Sequence, residues 1–406
     1  MKLPAPFISL INKRKKRIYL DHAAATPVAA AVEKAMRPWI GTHYGNPSAI
    51  HAEGQRARDA IEHARVLLAR TLNVRPHGIT FTSGGTESNN LAIRGHIAAL
   101  CAQGMPLEKM KVLTTAIEHP SITNTLKSLE TEGVHVEYMP VGEDGRIGTK
   151  AFGEMLDEDV VLVTFSYANS EVGVVQDVKR VTRAVRAWNQ SHDTQVNVHL
   201  DASQTPLWLP CQLDTLGVDM MTQDGVKCGG PMGSGVLAHR HGVGLSPILH
   251  GGGQEAGLRA GTENVAGIVG VATAVMRAQE GWEERSVRVT KIRDEFLNLL
   301  QASIPEAIVN GSLEHRLPNN INISLPGIDT EFAVVVLDRH GIAASTKSAC
   351  SGADGSGSEV VRTLSSDESR AQSTIRFTLG EQTTLRELRT TVSVLQKHIA
   401  HMKTAL

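Results

Sequence analysis

The sequence predicts an α/β protein in which a mostly parallel central sheet forms a large domain and a smaller α/β domain follows it. Two observations carry this prediction. Short β-rich apolar runs alternate with helical stretches through the middle of the chain, and around residues 254–270 a glycine-rich pattern gives way to plain helix. Continuous apolar strands between helices are typical of parallel sheets that are covered on both faces.

The strands of the large domain are predicted where the apolar runs are richest in β-formers, at residues 79–82, 111–115, 160–167, 196–200 and 235–239. Apolar residues then recur at helical spacing from Val289 to Leu299, which predicts a long helix leading into the second domain. We therefore expect a basic tail over 1–17, a large domain over 18–265 and a small domain over 266–406. The glycine- and serine-rich stretch 351–358 is predicted to be a loop of the small domain.

Composition excludes several classes of function. The chain has 406 residues with 41 Lys+Arg against 42 Asp+Glu, a net charge of -1, so nucleic acid and anionic membranes are not expected as partners. No apolar run approaches the ~20 residues that span a bilayer. The basic cluster near the start follows the apolar residues, the reverse of a secretory signal. A cytoplasmic location is expected, with an organellar presequence as the alternative.

Metal binding has little support in the sequence. The 17 histidines are scattered without an HExxH motif, and the cysteines form neither a CxxC pair nor a zinc-type spacing. A lone cysteine is by default a small core residue. Only Cys350, beside the predicted loop, has a context that argues for chemistry.

Three segments that follow strands carry polar residues suited to a ligand. Residues 82–90, TSGGTESNN, place two glycines and hydroxyl side chains at the start of a helix, where an anion can bind. Asp201 ends an apolar strand, where an ionised carboxylate needs a partner. Lys227 lies among glycines, where another molecule can approach closely. An N-capped turn, a helix-capping Asp and a solvated Lys remain the alternatives for each segment alone.

Taken together and in this order, the segments make the chain resemble the NifS-like cysteine desulfurases, class V enzymes dependent on pyridoxal 5'-phosphate (PLP). The resemblance runs from about Ile18 to the C-terminus. It rests on the motifs IYLDHAAATP, GNPSAIHAEGQRAR, TSGGTESNN, IEHPSI, ANSEVGVVQ, HLDASQ, HGGGQEAGLRAGTEN, SAC and IRFTLG. The fold that it implies is type I of the PLP-dependent transferases.

The resemblance also implies a role for each matching residue around the cofactor. These are Gly85 and Thr86 at the phosphate, His119 stacked on the ring, Asp201 at the pyridine nitrogen, Gln204 at the ring hydroxyl, Lys227 as the Schiff-base lysine, and Thr262 at the phosphate of the neighbouring subunit. The last of these roles implies a homodimer.

The remaining implied roles concern the substrate, L-cysteine. Asn169 and Arg376 would hold it, Arg376 through a bidentate grip on the carboxylate. Cys350 in the SAC motif would attack the substrate sulfur as a thiolate, which leaves alanine and a persulfide on Cys350. The persulfide would pass to an iron–sulfur scaffold or to another sulfur acceptor. A selenocysteine lyase or another class V PLP enzyme is the alternative within the family.

The sequence departs from the family pattern on both sides of Lys227. Ser and His usually contact the phosphate where this chain has Asp224 and Val226, and Glu381 replaces a usual Arg. Val226 offers no side-chain donor, and an ionised Asp224 repels a phosphate. One lost charge-assisted hydrogen bond costs about 1.5–3 kcal/mol. A catalytically weakened scaffold-type relative is therefore the second alternative.

Overall fold

The computed structural model describes residues 17–346 and 357–405. Its strands are β1 (Ile18–Tyr19), β2 (Ile79–Thr82), β3 (Lys111–Thr114), β4 (His135–Tyr138), β5 (Val160–Ser166), β6 (Asn197–Asp201), β7 (Met220–Asp224), β8 (Gly235–His239), β9 (Ile308–Val309), β10 (Asn320–Ser324), β11 (Ile342–Ala343) and β12 (Thr374–Thr378). All five strands predicted from the sequence are present, with ends shifted by at most one residue.

The α-helices of the described ranges follow the glycine and polar segments between the strands. They are α1 (Ala30–Ile40), α2 (Ala52–Leu72), α3 (Gly85–Ala102), α4 (Pro120–Glu132), α5 (Thr149–Glu154), α6 (Val178–His192), α7 (Leu213–Leu216), α8 (Val265–Gln279), α9 (Trp282–Ser303), α10 (Thr330–Arg339), α11 (Glu359–Ser365), α12 (Glu368–Gln372) and α13 (Leu385–Ala405). The long helix predicted around Val289–Leu299 is α9. Within the described ranges, none of the helices combines the length and the hydrophobicity that a membrane span needs.

The central sheet has seven strands in the order β2-β8-β7-β6-β5-β3-β4. Strands β3 to β7 are parallel, and β8 alone runs against its neighbours β2 and β7. Every residue of β6 is buried, as expected for a strand whose two sheet faces are both covered by helices. The predicted fold class, α/β with a mostly parallel central sheet, is confirmed.

Smaller sheets form the second part of the chain. β10 pairs antiparallel with β12 and with β9, and β1, the first described strand, pairs parallel with β11. The helix α8 packs against α1 and α2. The division at residues 265/266 stays a prediction. The pairing of β1 with β11 means that the chain crosses between the two predicted domains more than once.

Candidate active site

Most of the polar residues singled out in the sequence meet at one edge of the central sheet, where its parallel strands end. A cavity of about 150 Å³ opens there. It is lined by Ala23, Ala24, Gly85, Thr86, Asn89, His119, Ser121, Ser166, Ala168, Asn169, Ser170, Asp201, Ser203, Gln204, Asp224, Lys227 and Arg376. Parallel sheets place ligand sites at the carboxyl ends of their strands, because the loops that follow the strands converge there.

Asp201, the last residue of β6, is fixed by three donors. Asn89 donates its amide to Oδ2 at 2.8 Å, while the backbone N–H and the hydroxyl of Ser203 donate to Oδ1 at 3.0 and 2.6 Å. The carboxylate is only 8% exposed. A buried carboxylate that accepts several hydrogen bonds is held in one orientation, which suits it to pair with a cationic ligand atom.

His119 lies at the N-terminal cap of α4, next to the Asp201 carboxylate. Its Nδ1 accepts a hydrogen bond from the backbone N–H of Ser121 at 3.1 Å and contacts the Ser121 hydroxyl at 2.8 Å. Asn89 also donates to that hydroxyl, so it connects His119 with Asp201. Burial lowers the pKa of His119, and the nearby Asp201 opposes this shift. The neutral ring therefore carries its proton on Nε2.

Lys227 ends a single 3-10 turn directly after β7. Its Nζ donates to the carbonyl oxygens of Ala23 at 2.9 Å and Ala24 at 2.6 Å. The backbone N–H and the hydroxyl of Thr26 donate to the Val226 carbonyl at 2.8 and 2.7 Å. The IYLDHAAATP segment therefore holds the lysine turn in place, a role that its position near the start of the sequence did not reveal.

The cavity lining includes Gln204, predicted at the ring hydroxyl, and Gly85 and Thr86, predicted at the phosphate. Gln204 donates its amide to the carbonyl of Ala23 at 3.0 Å, beside Lys227. Thr86 lies in the first turn of α3, and its side chain is exposed. A Cβ on Gly85 would approach both the Ser203 hydroxyl and Asp224 Oδ2 to 3.1 Å, so glycine keeps this part of the wall open.

Asp224, the last residue of β7, contacts the start of α3. Its Oδ2 accepts the backbone N–H of Gly85 at 3.2 Å, and its Oδ1 accepts that of Val226 at 3.1 Å. Burial raises the pKa of this carboxyl, while Lys227 and the two N–H groups lower it. The carboxylate thus takes one of the helix N-terminal donors expected to bind an anion.

Arg376, on β12, is 1% exposed and already paired. It donates to Asp21 Oδ1 at 2.8 Å and to the carbonyl of Ser170 at 3.0 Å. Its Nε is buried without a hydrogen-bond partner among the described residues. A substrate carboxylate at this position has to share the guanidinium with Asp21.

Asn169 follows β5 on the same side of the cavity and is engaged with the backbone. Its amide nitrogen donates to the carbonyl of Ile117 at 2.7 Å, and its Oδ1 accepts the N–H groups of Glu171 and Val172 at 2.8 and 2.9 Å. These bonds fix the loop after β5. They also engage both ends of the Asn169 amide, the side chain that the sequence resemblance assigns to the substrate.

Thr262 is exposed and does not line the cavity. The segment that leads to it is tied down by two ion pairs: Glu255 accepts both N–H groups of Arg65 at 2.7 and 2.9 Å, and Arg259 Nε donates to Glu87 at 2.9 Å. The predicted reach of Thr262 to a neighbouring subunit stays a prediction.

Cys350, the predicted nucleophile, lies outside the described residues. Among the described cysteines, Cys211 and Cys228 are fully buried, and burial raises the pKa of the Cys211 thiol to about 11 and that of Cys228 further still. Cys101 is exposed. None of the three lines the cavity. The described cysteines thus lack the exposed, thiolate-favouring setting of a reactive cysteine at this cavity.

Glu118 is a site residue that the sequence reasoning missed. It is buried beneath the cavity, where its Oε2 accepts the backbone N–H of Ser166 at 2.8 Å and the Ser166 hydroxyl at 2.5 Å, and its Oε1 accepts the Thr115 hydroxyl at 2.5 Å. Burial raises its pKa to about 7. The signal was an acidic residue in the IEHPS motif, four positions after the end of β3.

Glu381 has a structural explanation. Its carboxylate pairs with Arg277 at 3.0 Å and Arg285 at 3.4 Å, so this chain replaces the usual cation with an anion that bridges two arginines. Gly380 before it allows close packing, since a Cβ there would lie 2.2 Å from His22 Nε2. In the described part of the chain, no group of His, Cys, Asp or Glu side chains is arranged to hold a metal ion.

Comparisons with known proteins agree with this geometry. The family model described as aminotransferase class-V matches residues 18–390. The cysteine desulfurase IscS of Dictyoglomus turgidum is 36% identical over 390 residues, 96% of each chain. A solved NifS-like protein is 34% identical with a TM-score of 0.87, covering 95% of this chain and 100% of the other. The structure titled SspA in complex with cysteine is 31% identical with a TM-score of 0.75, covering 91% and 100%. The chain belongs to the class-V aminotransferase family and has the type I fold of PLP-dependent transferases.

Proposed function

We propose that the chain is a PLP-dependent cysteine desulfurase that converts L-cysteine to L-alanine and transfers the sulfur to Cys350. The observation that carries the proposal is the convergence of Lys227, His119 and Asp201 on one cavity at the carboxyl edge of the sheet. Relatives that are 36% identical over nearly the whole chain are named cysteine desulfurases. A cytoplasmic location, expected from the sequence, belongs to the same proposal.

The residues of the cavity fit PLP at its ring and aldehyde. A fixed carboxylate, Asp201, can pair with a protonated pyridine nitrogen, the amine of Lys227 can bond to the aldehyde, and the His119 imidazole offers a flat surface. Gly85 lacks a Cβ and so leaves room for a phosphate at the α3 N-terminus, where Asp224 already accepts the Gly85 N–H at 3.2 Å. When bound, the cofactor supplies an electron-withdrawing ring that stabilises negative charge on the substrate α-carbon.

Two side chains of the cavity are placed to hold and move protons. The Nε2–H of His119 can donate and then recover a proton, because burial keeps the imidazole neutral at neutral pH. The amine of Lys227 lies in the same cavity and, when it is free, can take up a proton. Asn89 fixes the position of the Asp201 carboxylate relative to the imidazole, because it donates both to that carboxylate and to the Ser121 hydroxyl that contacts His119.

Substrate binding is proposed at Arg376 and Asn169, which line the same cavity. The guanidinium of Arg376 attracts the substrate carboxylate, and Asp21 keeps its orientation through the 2.8 Å ion pair. The fixed loop at Asn169 shapes the wall on which the amino acid rests.

The sulfur acceptor is proposed to be Cys350, on the sequence evidence of the SAC motif and the following glycine- and serine-rich stretch. As a thiolate it would attack the substrate sulfur, take it as a persulfide and leave alanine. An iron–sulfur scaffold or another acceptor protein would then receive the sulfur. A homodimer belongs to the same proposal, supported by the exposed position of Thr262.

The proposal is tested by measuring alanine released from L-cysteine in the presence of a reductant that clears persulfide between turnovers. Cys350→Ser should bind the cofactor and cysteine but release little or no alanine, because a serine hydroxyl has too high a pKa to act as an anion at neutral pH. Cys101→Ser is the matched control and should keep most of the activity. Wild-type rates from Cys350→Ser would overturn the assignment of the nucleophile.

One rival function has a specific observation in its favour. A catalytically weakened scaffold would bind the cofactor poorly, and the Asp224 carboxylate lies where a phosphate donor is expected. A protein that stays colourless with added PLP, while still binding an iron–sulfur assembly partner, would support the scaffold. A selenocysteine lyase is separated from a desulfurase by comparing the turnover of selenocysteine and cysteine.

A further inference from the structure

The start of helix α3 already holds an anion supplied by the chain itself. Asp224 Oδ2 accepts the Gly85 N–H at 3.2 Å, and its other oxygen accepts the Val226 N–H at 3.1 Å. Asp224 and Gly85 are 139 positions apart in the sequence, so only folding of the sheet brings them into contact. Helix N-terminal N–H groups are the usual donors to a ligand phosphate.

A phosphate that binds at the same donors meets the carboxylate at close range. Two anions that share one donor repel each other in a partly buried site. Protonation removes this conflict, since a carboxylic acid has an O–H that can donate to a phosphate oxygen. We propose that Asp224 takes up one proton when a phosphorylated cofactor binds, so that it changes from an internal ligand of helix α3 to a hydrogen-bond donor to the phosphate.

The proton balance of this step is simple. The carboxylate gains a proton from solvent, gives up or shares the Gly85 N–H, and its new O–H hydrogen-bonds to a phosphate oxygen. The charged groups near Asp224 shift its pKa in opposite directions: Lys227 lowers it and Asp201 raises it. His119 is also close enough for the Asp224 charge to raise the pKa of its imidazole. Burial raises the pKa of Asp224, which brings protonation closer to neutral pH.

The inference rests on the proposed function, since it assumes that the cavity holds PLP. It adds a pH-dependent preference for PLP over pyridoxal, which the function does not require. The phosphate should contribute less to affinity than usual, and its contribution should shrink as pH rises. An Asn at this position has the shape of the protonated acid and can donate to phosphate at any pH. Asp224→Asn should therefore bind PLP more tightly, while its affinity for pyridoxal, which lacks the phosphate, stays the same.

The experiment compares PLP with pyridoxal, each titrated into cofactor-free protein and followed by visible absorbance and by calorimetry. The quantity measured is the ratio of the two affinities from about pH 6 to about pH 9. In wild type the preference for PLP should fall as pH rises. In Asp224→Asn it should change with pH only through the ionisation of the phosphate itself and, at the high end, exceed that of wild type on the order of tenfold to a hundredfold.

Calorimetry in buffers of different ionisation enthalpy counts the protons taken up. The measured quantity is the number of protons taken up with PLP minus the number taken up with pyridoxal. At a pH above the pKa of Asp224 in the cofactor-free protein, this difference should be larger in wild type than in Asp224→Asn by about one proton. The second ionisation of the phosphate and the internal hemiacetal of pyridoxal affect both proteins alike, so they cancel. Asp177→Asn is the matched control, because Asp177 caps α6 through the Arg180 N–H and lies outside the cavity.

Asp224→Ser guards against misfolding of the first variant, and it should also raise the preference for PLP. An affinity ratio that is the same in wild type and both variants, or an equal proton count, would overturn the inference while the proposed function stands. A protein that binds neither PLP nor pyridoxal on Lys227 would overturn the proposed function and this inference with it.

Discussion

Replacing Asn89 with alanine is expected to loosen the connection between the two catalytic groups that it bridges. Asn89 is 1% exposed, and its amide nitrogen donates to Asp201 Oδ2 and to the Ser121 hydroxyl, each at 2.8 Å. A hydrogen bond to a charged group contributes about 1.5–3 kcal/mol and one to a neutral group about 0.5–1.5 kcal/mol. Its Oδ1 has no hydrogen-bond partner among the described residues, so no further bond is lost. The free energy of unfolding should fall by about 2–4 kcal/mol.

The assay is denaturant unfolding of the cofactor-free protein, followed by titration with PLP. Asn90→Ala is the matched control: Asn90 is the next residue of α3, also makes two side-chain hydrogen bonds, to Thr86 and Thr125, and does not line the cavity. Its loss should cost about 1 kcal/mol and leave PLP affinity unchanged. Asn89→Ala should weaken PLP by about threefold to tenfold, because Asp201 loses a positioning donor. Equal unfolding energies and equal PLP affinities for the two variants would refute the positioning role.

Three other changes have expected outcomes. Asp224→Ser combined with Val226→His should tighten PLP binding in a spectroscopic titration, because both changes add donors and one removes a negative charge. Glu118→Gln should flatten the pH dependence of the free energy of unfolding. The pKa of Glu118 is about 7 in the folded chain, so its protonated form stabilises the fold below the pKa of the unfolded chain. About 3 kcal/mol of that stabilisation is lost as the pH rises to about 7. Cys228→Ser should keep most of the alanine production, since the Cys228 thiol is buried away from the cavity.

Each of these expectations has an opposite result. Weaker PLP binding by the double variant would mean that Asp224 contributes favourably to the phosphate site. An unchanged pH profile in Glu118→Gln would mean that Glu118 is ionised throughout and that its hydrogen bonds from Ser166 and Thr115 outweigh burial. Loss of activity in Cys228→Ser, with normal folding, would place the nucleophile beside Lys227.

The sequence predicted most of the central sheet because β5, β6 and β8 are continuous apolar runs. It missed β4, His135–Tyr138, which lies at the edge of the sheet and alternates polar with apolar residues that are mostly exposed or half-buried. It also missed β7, where Gln223 is fully buried inside the sheet. Local composition carries little signal for an edge strand or for a buried amide, because tertiary packing decides both.

The site residues divide in the same way. Lys227, Asp201 and His119 were suggested by motifs, and the fold brings them to one cavity. Their supporting contacts could not be predicted: Arg376 meets Asp21 across 355 positions, and Asn89 meets Asp201 across 112. Such pairs arise only when distant strand ends converge, which no local pattern records.

Asp224 shows where a sequence argument can be correct in chemistry and incomplete in geometry. The sequence indicated repulsion between its carboxylate and a phosphate. The structure adds that the carboxylate accepts the Gly85 N–H, the donor that a phosphate would use. The competition is therefore for a specific hydrogen bond, in addition to charge repulsion.

The attachment point of the cofactor is the most direct test of the proposed chemistry. Purified protein loaded with PLP is reduced with borohydride, digested and mapped by mass spectrometry, with the visible spectrum recorded before and after reduction. We expect loss of the visible band and a pyridoxyl group on Lys227 alone, because its amine lies in the cavity among Ala23, Ala24 and Asp224. A label on a different lysine, or a protein that remains colourless with excess PLP, would contradict the assignment.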